Sequence, residues 1–398
     1  MTPTTRGIDR RRLLQLGAAA SGLLVGCGGS PDAPAGSGTR AEMRYRPLGK
    51  TGLMVSELTF GSHGVDNPPL MQAALEAGVT TFFTSGEYLD GREEIALGQA
   101  MKALGVRRGD VVIITGSEVK RGTTRGRVLA AIDGSLRRLG TDQIDVYATF
   151  GVCSPADLQV DALYEAVEEA KQVGKVKALA LSGHCGGMQP CLEAAIADGR
   201  IEVLLFKYDF VSYPDVDDIL HRAAENGIGA VVFKTNAGAR HKEIKDLEAG
   251  GLSFQRATVK WALGNPDISS VAVTITNFKQ IRDLTAAVGS PLTTAEVAML
   301  DRYAHEMGDK YCRFCTACEA SCPAGVAVAD VMRYAMYFSG YGREKEAMRR
   351  YREIPRSRTA AACDGCPSPC EAACPFGRPV RSELVAAHRL LSFAEARG

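Results

Sequence analysis

"ADLQVDALYEAVEEAKQVGKVKALALS", residues 156–182, is the stretch that decides the fold. Leu158, Leu163, Val167 and Val173 share one face of a helical period, while Glu165, Glu168, Glu169 and Lys171 take the other, the pattern of a surface helix with one buried stripe. Gly174 stands where a helix closes on a left-handed residue, and "VKALALS" (176–182) is an apolar run of strand length. The same unit recurs along the chain. Further strands are expected at "ELTFGS" (57–62), "TTFFTS" (80–85), "VVIIT" (111–115), "IDVYATF" (144–150), "EVLLF" (202–206), "GAVVF" (229–233) and "SVAVT" (270–274). Gly78, Gly105, Gly140, Gly199 and Gly227 close the intervening helices as Gly174 does. Eight strand–helix pairs in about 260 residues predict an α/β fold of the (β/α)8 TIM-barrel type. A doubly wound open sheet is the competing arrangement, and the lack of G-x-G-x-x-G after the first strand speaks against it. In a barrel the site forms at the C-terminal strand ends, so those residues are the ones to inspect.

Beyond the barrel the cysteines stand out. The chain has 12, and eight of them fall in two runs near the C-terminus, not spread as in an oxidised secreted scaffold. Cys312, Cys315, Cys318 and Cys322-Pro323 form the first run; Cys363, Cys366, Cys370 and Cys374-Pro375 form the second. C-x2-C pairs also build zinc knuckles, and disulfides are a further alternative, but the Cys-Pro endings favour iron. The two runs resemble those of two-cluster ferredoxins, in which the cysteine before proline crosses to the other cluster. That resemblance implies two 4Fe-4S clusters, one on Cys312, Cys315, Cys318 and Cys374, the other on Cys363, Cys366, Cys370 and Cys322. The second run departs from the pattern by one residue between Cys366 and Cys370. Between the runs, "REKEAMRRYREIPRSR" (343–358) reads as a solvated basic helix, with a docking face for an acidic electron carrier or lipid headgroups as the alternative. Of the other cysteines, Cys185 follows His184 and is either reactive or, as is commoner, a buried structural residue.

A formal net charge of +1 gives no reason to expect nucleic acid as a partner. At the N-terminus, Arg10, Arg11 and Arg12 precede a mildly apolar run from Leu13 to Gly26, too short to span a bilayer and suited to a signal peptide. The order around Arg10-Arg11 resembles the twin-arginine export motif, whose route carries folded proteins with clusters already inserted. "LVGC" (24–27) resembles a lipobox, making Cys27 a candidate lipid anchor. The expected product is periplasmic or a membrane-anchored lipoprotein. The expected organisation is a signal at 1–27, a Gly/Pro/Ser/Ala linker at 28–42, a barrel at 43–308 and an α-rich ferredoxin-like 4Fe-4S domain at 309–398.

"YRPLGKTGLMVSELTFGS" (45–62), "SLRRLGTDQIDVY" (135–147), "GKVKALALS" (174–182) and "GIGAVVFKTNAGA" (227–239) together resemble the aldo/keto reductases, in the branch that carries C-terminal iron–sulfur motifs. The resemblance spans roughly residues 43–390. It implies an N-terminal hairpin plugging the barrel floor and hydride transfer from NADP(H) to a carbonyl, with a tyrosine as proton donor. Carried over residue by residue, Tyr88 matches that tyrosine at a spacing one residue short. Thr84 stands at the aspartate position, Gly116 at the lysine and Phe150 at the histidine. A tyrosine near its usual pKa of about 10 is a poor acid without a cationic neighbour, and such acid help is worth about 10²- to 10⁴-fold. Substitutes at strand ends are Lys234 and His184, with Lys120, Lys207 and His63 behind them. For the nucleotide, Ser182, Thr276, Asn277, Lys279 and Arg282 match, without the family's glycine. The resulting expectation is an exported oxidoreductase acting on an unidentified small molecule and trading electrons with a redox protein. The alternative is a catalytically degraded barrel kept as a binding or scaffold module.

Overall fold

The computed structural model describes residues 43–392 apart from 212–215, 237, 239–245 and 308–311; the expected signal, linker and Cys27 lie outside them. Strands β1 (Tyr45–Pro47) and β2 (Met54–Ser56) pair antiparallel as a hairpin. Eight parallel strands follow: β3 (Leu58–Gly61), β4 (Thr81–Phe83), β5 (Val112–Glu118), β6 (Ile144–Phe150), β7 (Val176–Gly183), β8 (Val203–Lys207), β9 (Gly229–Phe233) and β10 (Ser270–Thr274). They close in the order β10-β3-β4-β5-β6-β7-β8-β9, the (β/α)8 barrel read from the sequence. Each of the eight expected strand segments contains or overlaps one of these strands, because a strand buried on both faces is a continuous apolar run bounded by glycine.

The expected buried stripe of the 156–182 stretch needs one correction. Its helix runs Asp161–Gln172 and buries Leu163, Ala166, Val167 and Ala170, but Val173 is 65% exposed. The helix stops at Gln172, so Val173 has already left the helical phase when Gly174 turns at φ 75°. Leu158 is buried from a separate short turn, Pro155–Leu158.

Inside the barrel, Leu48, Leu53 and Val55 of the hairpin join Val112, Ile114, Val146, Ala148, Ala178, Val203 and Val231 in one cluster. The hairpin thus plugs the floor, as expected. Arg46 fastens it: Nε meets buried Glu57 at 2.6 Å, and Nη1 and Nη2 donate to the carbonyls of Ile268 (2.7 Å) and Leu263 (2.8 Å). A second layer, including Phe60, Leu70, Phe82, Leu97, Ile113, Tyr147, Leu163 and Phe206, sits between strands and helices.

After the barrel, the helices Val328–Tyr341, Glu344–Arg352 and Val380–Leu391 form a lobe with its own core, including Val331, Tyr337, Ala347, Tyr351, Val380, Leu384 and Leu391. This lobe lies against the C-terminal face of the barrel. Among the described residues no helix is long and apolar enough to cross a membrane.

The floor plug sets a sharp test. Gly49 has φ +54°, and a Cβ there would overlap the Gly227 carbonyl and the Gly229 nitrogen. Gly49→Ala should therefore destabilise the protein by about 2 kcal/mol or more, read as a lower urea midpoint. An unchanged midpoint would show that the hairpin does not seal the floor.

Candidate functional site

The C-terminal ends of the strands, where barrel chemistry sits, are covered by the C-terminal lobe. Gly187 N–H donates to the Phe314 carbonyl at 2.9 Å, and Arg313 Nη1 donates to the Val211 carbonyl at 2.9 Å. Lys207, buried at the end of β8, pairs with Asp209 at 3.0 Å and lies 4.8 Å from the Phe314 ring centroid. The approach is close because two glycines allow it. A Cβ on Gly186 would overlap the Ala329 side chain, and one on Gly187, at φ +68°, would lie 2.9 Å from Thr316 Oγ1.

Lys234 directly follows β9 in a left-handed conformation at φ 58°. Its Nζ donates to the Tyr337 hydroxyl at 2.5 Å, across the lobe boundary. Burial, then Arg333, Lys207 and Arg343 nearby, holds its pKa well below the usual lysine value. His184, past the end of β7, accepts from Arg333 Nη1 through its carbonyl at 3.0 Å. Burial, Lys234 and Arg333 keep its imidazole neutral far below the usual range. Arg333 is 6% exposed and also pairs with Asp330 at 2.8 Å. Tyr337 and Arg333 complete the mouth from a helix far down the chain, and no spacing in the sequence signals them.

Tyr88 opens the short turn Tyr88–Gly91 and stacks on His63 (4.7 Å between centroids) and Phe150 (6.2 Å). Burial, then Glu93 and Glu87, raises its pKa above that of a free tyrosine. Phe150 meets Phe83 edge-on at 5.8 Å, and Phe83 stacks on Phe233 at 6.1 Å, so aromatic rings line this side of the mouth. The Thr84 hydroxyl is buried without a hydrogen-bond partner. At Gly116 a Cβ would overlap the Ala148 carbonyl of the neighbouring strand, so this backbone has no room for a lysine. Lys120 pairs with Glu118 on the surface at 2.8 Å. Arg350 and Glu346 of the expected solvated helix are half-buried and electrostatically felt at His63, while Arg349 and Arg352 stay exposed.

The nucleotide residues are engaged with one another. Asn277 Oδ1 caps the Phe278–Thr285 helix by accepting from Gln280 N–H at 3.0 Å. Gln280 Oε1 in turn accepts from Thr276 N–H (2.8 Å), Thr276 Oγ1 (3.0 Å) and Asn277 Nδ2 (3.1 Å). Lys279 is paired with Asp283, Arg282 is exposed, and Ser182 is buried near the end of β7. Thr276 N–H, Gln280 N–H and the Asn277 amide at this helix start are therefore engaged with the chain's own side chains, while Arg282 stays exposed.

The eight run cysteines gather into two pockets. Cys312, Cys315, Cys318 and Cys374 line one, with Arg313, Thr316, Ala329, Arg378 and Glu383 around them. Cys322, Cys363, Cys366 and Cys370 line the other, beside Arg381. Each pocket thus takes three thiols from one run and one from the other. Burial pushes the Cys318 thiol up to about 12, with Cys312, Cys315 and Cys374 adding to it. Phe314 N–H points at Cys312 Sγ (3.3 Å) and Val326 N–H at Cys322 Sγ (3.4 Å). Four convergent thiols suit a multi-iron centre, and among the described residues no cluster of His, Cys, Asp or Glu is tight enough for a single metal ion. Cys153 and Cys185 are joined by a disulfide, whereas the sequence leaves them outside any pairing.

Comparison with known proteins follows the same division. Residues 65–249 match the aldo/keto reductase family. The rice (Oryza sativa subsp. japonica) "Probable voltage-gated potassium channel subunit beta" is 37% identical over 118 residues, covering 26% of this chain and 36% of that protein. This chain thus spans little more than a third of that relative's length. "Uncharacterized oxidoreductase YrpG" of Bacillus subtilis (strain 168) is 26% identical over 312 residues, 65% of this chain and 95% of that one. The solved "aldo-keto reductase AKR11C1 from Bacillus halodurans (holo form)" superposes with a TM-score of 0.54 at 24% identity, covering 65% of this chain and 96% of that one, which establishes the barrel fold.

Sequence reading missed Glu93 as well. It is fully buried in the first turn of the Arg92–Leu104 helix, accepting from Ser62 Oγ (2.8 Å) and Gly64 N–H (2.5 Å). Burial pushes its carboxyl up to about 7 from the usual 4.5. The folded state therefore holds a proton that the unfolded chain releases, so this contribution is complete below pH 4.5 and is lost as pH rises to about 7. Glu93→Gln should flatten the corresponding fall in stability between those limits, measured by urea titration at each pH. A slope identical in both proteins would place the proton elsewhere.

Proposed function

We propose that the chain, whose residues 65–249 match the aldo/keto reductase family, is an oxidoreductase whose barrel is served by electrons from two 4Fe-4S clusters in its C-terminal lobe. The observation that carries this reading is the pair of four-thiol pockets, each drawn from both cysteine runs, in the lobe that covers the barrel mouth. Cys312, Cys315, Cys318 and Cys374 would hold one cluster, and Cys322, Cys363, Cys366 and Cys370 the other. When bound, each supplies one-electron transfer. The chain's own groups do the rest. The N–H groups of Phe314 and Val326 face Cys312 and Cys322 Sγ and would offset thiolate charge there once a cluster is held. Lys234 and Tyr337 form a hydrogen-bonded proton-handling pair at the mouth, in place of the tetrad lost at Thr84, Gly116 and Phe150. A lysine that burial makes readier to shed its proton, hydrogen-bonded to a tyrosine, can accept or pass a proton more easily than a solvated one. Tyr88, with His63 against its ring, is the second candidate acid. The reading derives no step through nicotinamide, because Asn277 and Gln280 occupy the phosphate end. Electrons would instead arrive from a redox protein.

The tetrad losses favour one further reading, a barrel kept as a binding or scaffold module with structural or redox-sensing clusters. Stopped-flow spectroscopy separates the two: a working barrel reoxidises prereduced clusters when offered some member of a panel of small carbonyl compounds, and a scaffold does so with none.

Anaerobically purified full chain should contain about eight irons and eight sulfides. Cys374→Ser and Cys322→Ser should each leave about four, with a different cluster missing by EPR. Iron that is undiminished in both variants, or replaced by zinc, would sink the assignment. In the same preparation NADPH should give no saturable heat, and saturable binding would restore nicotinamide to the account.

We also propose that Arg10–Arg11 directs the protein out of the cytoplasm, either as a plainly cleaved periplasmic protein or as a lipoprotein anchored at Cys27. Replacing both arginines by lysine should trap the chain in the cytoplasmic fraction; unchanged export would rule the route out.

A further inference from the structure

We propose that the Cys153–Cys185 pair is a redox-active disulfide, reduced by the cluster lobe and turned outward against disulfides of other molecules; this rests on the two-cluster reading above. The bond joins the loops that follow β6 and β7, both at the barrel mouth. Its halves differ in environment. Cys153 is exposed, whereas Cys185 is 6% exposed.

The buried half faces the lobe along a short route. Cys185 is followed by Gly186 and Gly187, and Gly187 N–H donates to the carbonyl of Phe314, which lies between Cys312 and Cys315. Gly186 presses on Ala329, and Gly187 on Thr316, both of which line the Cys312 pocket. One hydrogen bond and about a dozen covalent bonds thus link the disulfide to the Cys315 thiol of a four-thiol pocket. A staple placed only for stability has no need of this contact, and exchange needs one half at an exposed position, as Cys153 is.

The electrons balance. A one-electron donor protein reduces each cluster once. The two clusters then deliver two electrons, the Cys153–Cys185 bond breaks, and two protons from water complete two thiols. The Cys153 thiolate attacks an external disulfide to form a mixed disulfide and expel one thiolate. Cys185 then attacks Cys153 Sγ, re-forming the internal bond and releasing the second external thiolate. The substrate class is therefore a disulfide, and the protein is returned to its starting state.

Full chain with its iron and sulfide counted is titrated anaerobically with photoreduced deazaflavin. Cluster EPR is followed, and differential alkylation of Cys153 and Cys185 is read by mass spectrometry. Wild type should accept about four electrons per chain, one for each cluster and two for the disulfide couple. Cys153→Ser, a change at an exposed position, should accept about two. In wild type both cysteines should become alkylatable as the clusters are reduced. In Cys185→Ser, the Cys153 thiol should form a mixed disulfide with oxidised glutathione. Full iron with equal electron counts in wild type and Cys153→Ser, and a pair that stays closed, would overturn the proposal alone. An iron count near zero would overturn it together with the cluster reading.

Discussion

Everything distinctive in this molecule depends on how closely the C-terminal lobe approaches the barrel mouth. Two consecutive glycines, Gly186 and Gly187, leave the β7 loop without side chains where Ala329, Phe314 and Thr316 press against it. Any larger residue would hold the lobe away. The contact brings cationic groups into a confined space: Lys207, Lys234, Arg333 and, at the edge, Arg350. Burial of like charges is costly unless each finds a partner or loses its charge. Asp209, Asp330 and Glu346 answer three of them, and Lys234 answers the constraint by giving up its proton more easily and bonding to Tyr337.

The same closure lies over a mouth where Thr84, Gly116 and Phe150 offer no charged side chain. Gly116 lets β5 and β6 lie too close for a lysine, and Phe150 and Phe83 turn that side of the mouth aromatic. The polar groups gather across the opening, where the barrel supplies Lys234 and His184 and the lobe supplies Arg333 and Tyr337. The mouth is roofed by the chain's own lobe, and Asn277 and Gln280 bond to each other at the start of the helix after β10. The two thiol pockets lie in that roof, and the Cys153–Cys185 bond lies beside it.

Much of this was legible in the chain as a string of letters. The strands, the glycines that end the helices and the four-by-four grouping of cysteines follow from local periodicity or fixed spacing, while the hairpin plug was implied by a family resemblance. Val173 shows the limit of that logic, since a helix face was extended one residue past the turn that ends it. Glu93 shows another, because a carboxylate in a first helical turn looks solvated until the β3 loop closes over it.

The sequence by itself determined a barrel and two thiol runs, because hydrophobic period, left-handed glycines and short ligand spacings are properties of neighbours in the chain. Only the tertiary structure decided which groups Lys234, His184 and Cys185 meet. Lys234 meets Tyr337 across 103 positions, Arg333 meets His184 across 149, and Cys153 meets Cys185 across 32. Such pairs carry no local signature. They exist because the lobe packs on one face of the barrel, and packing is settled by the shape of both surfaces at once.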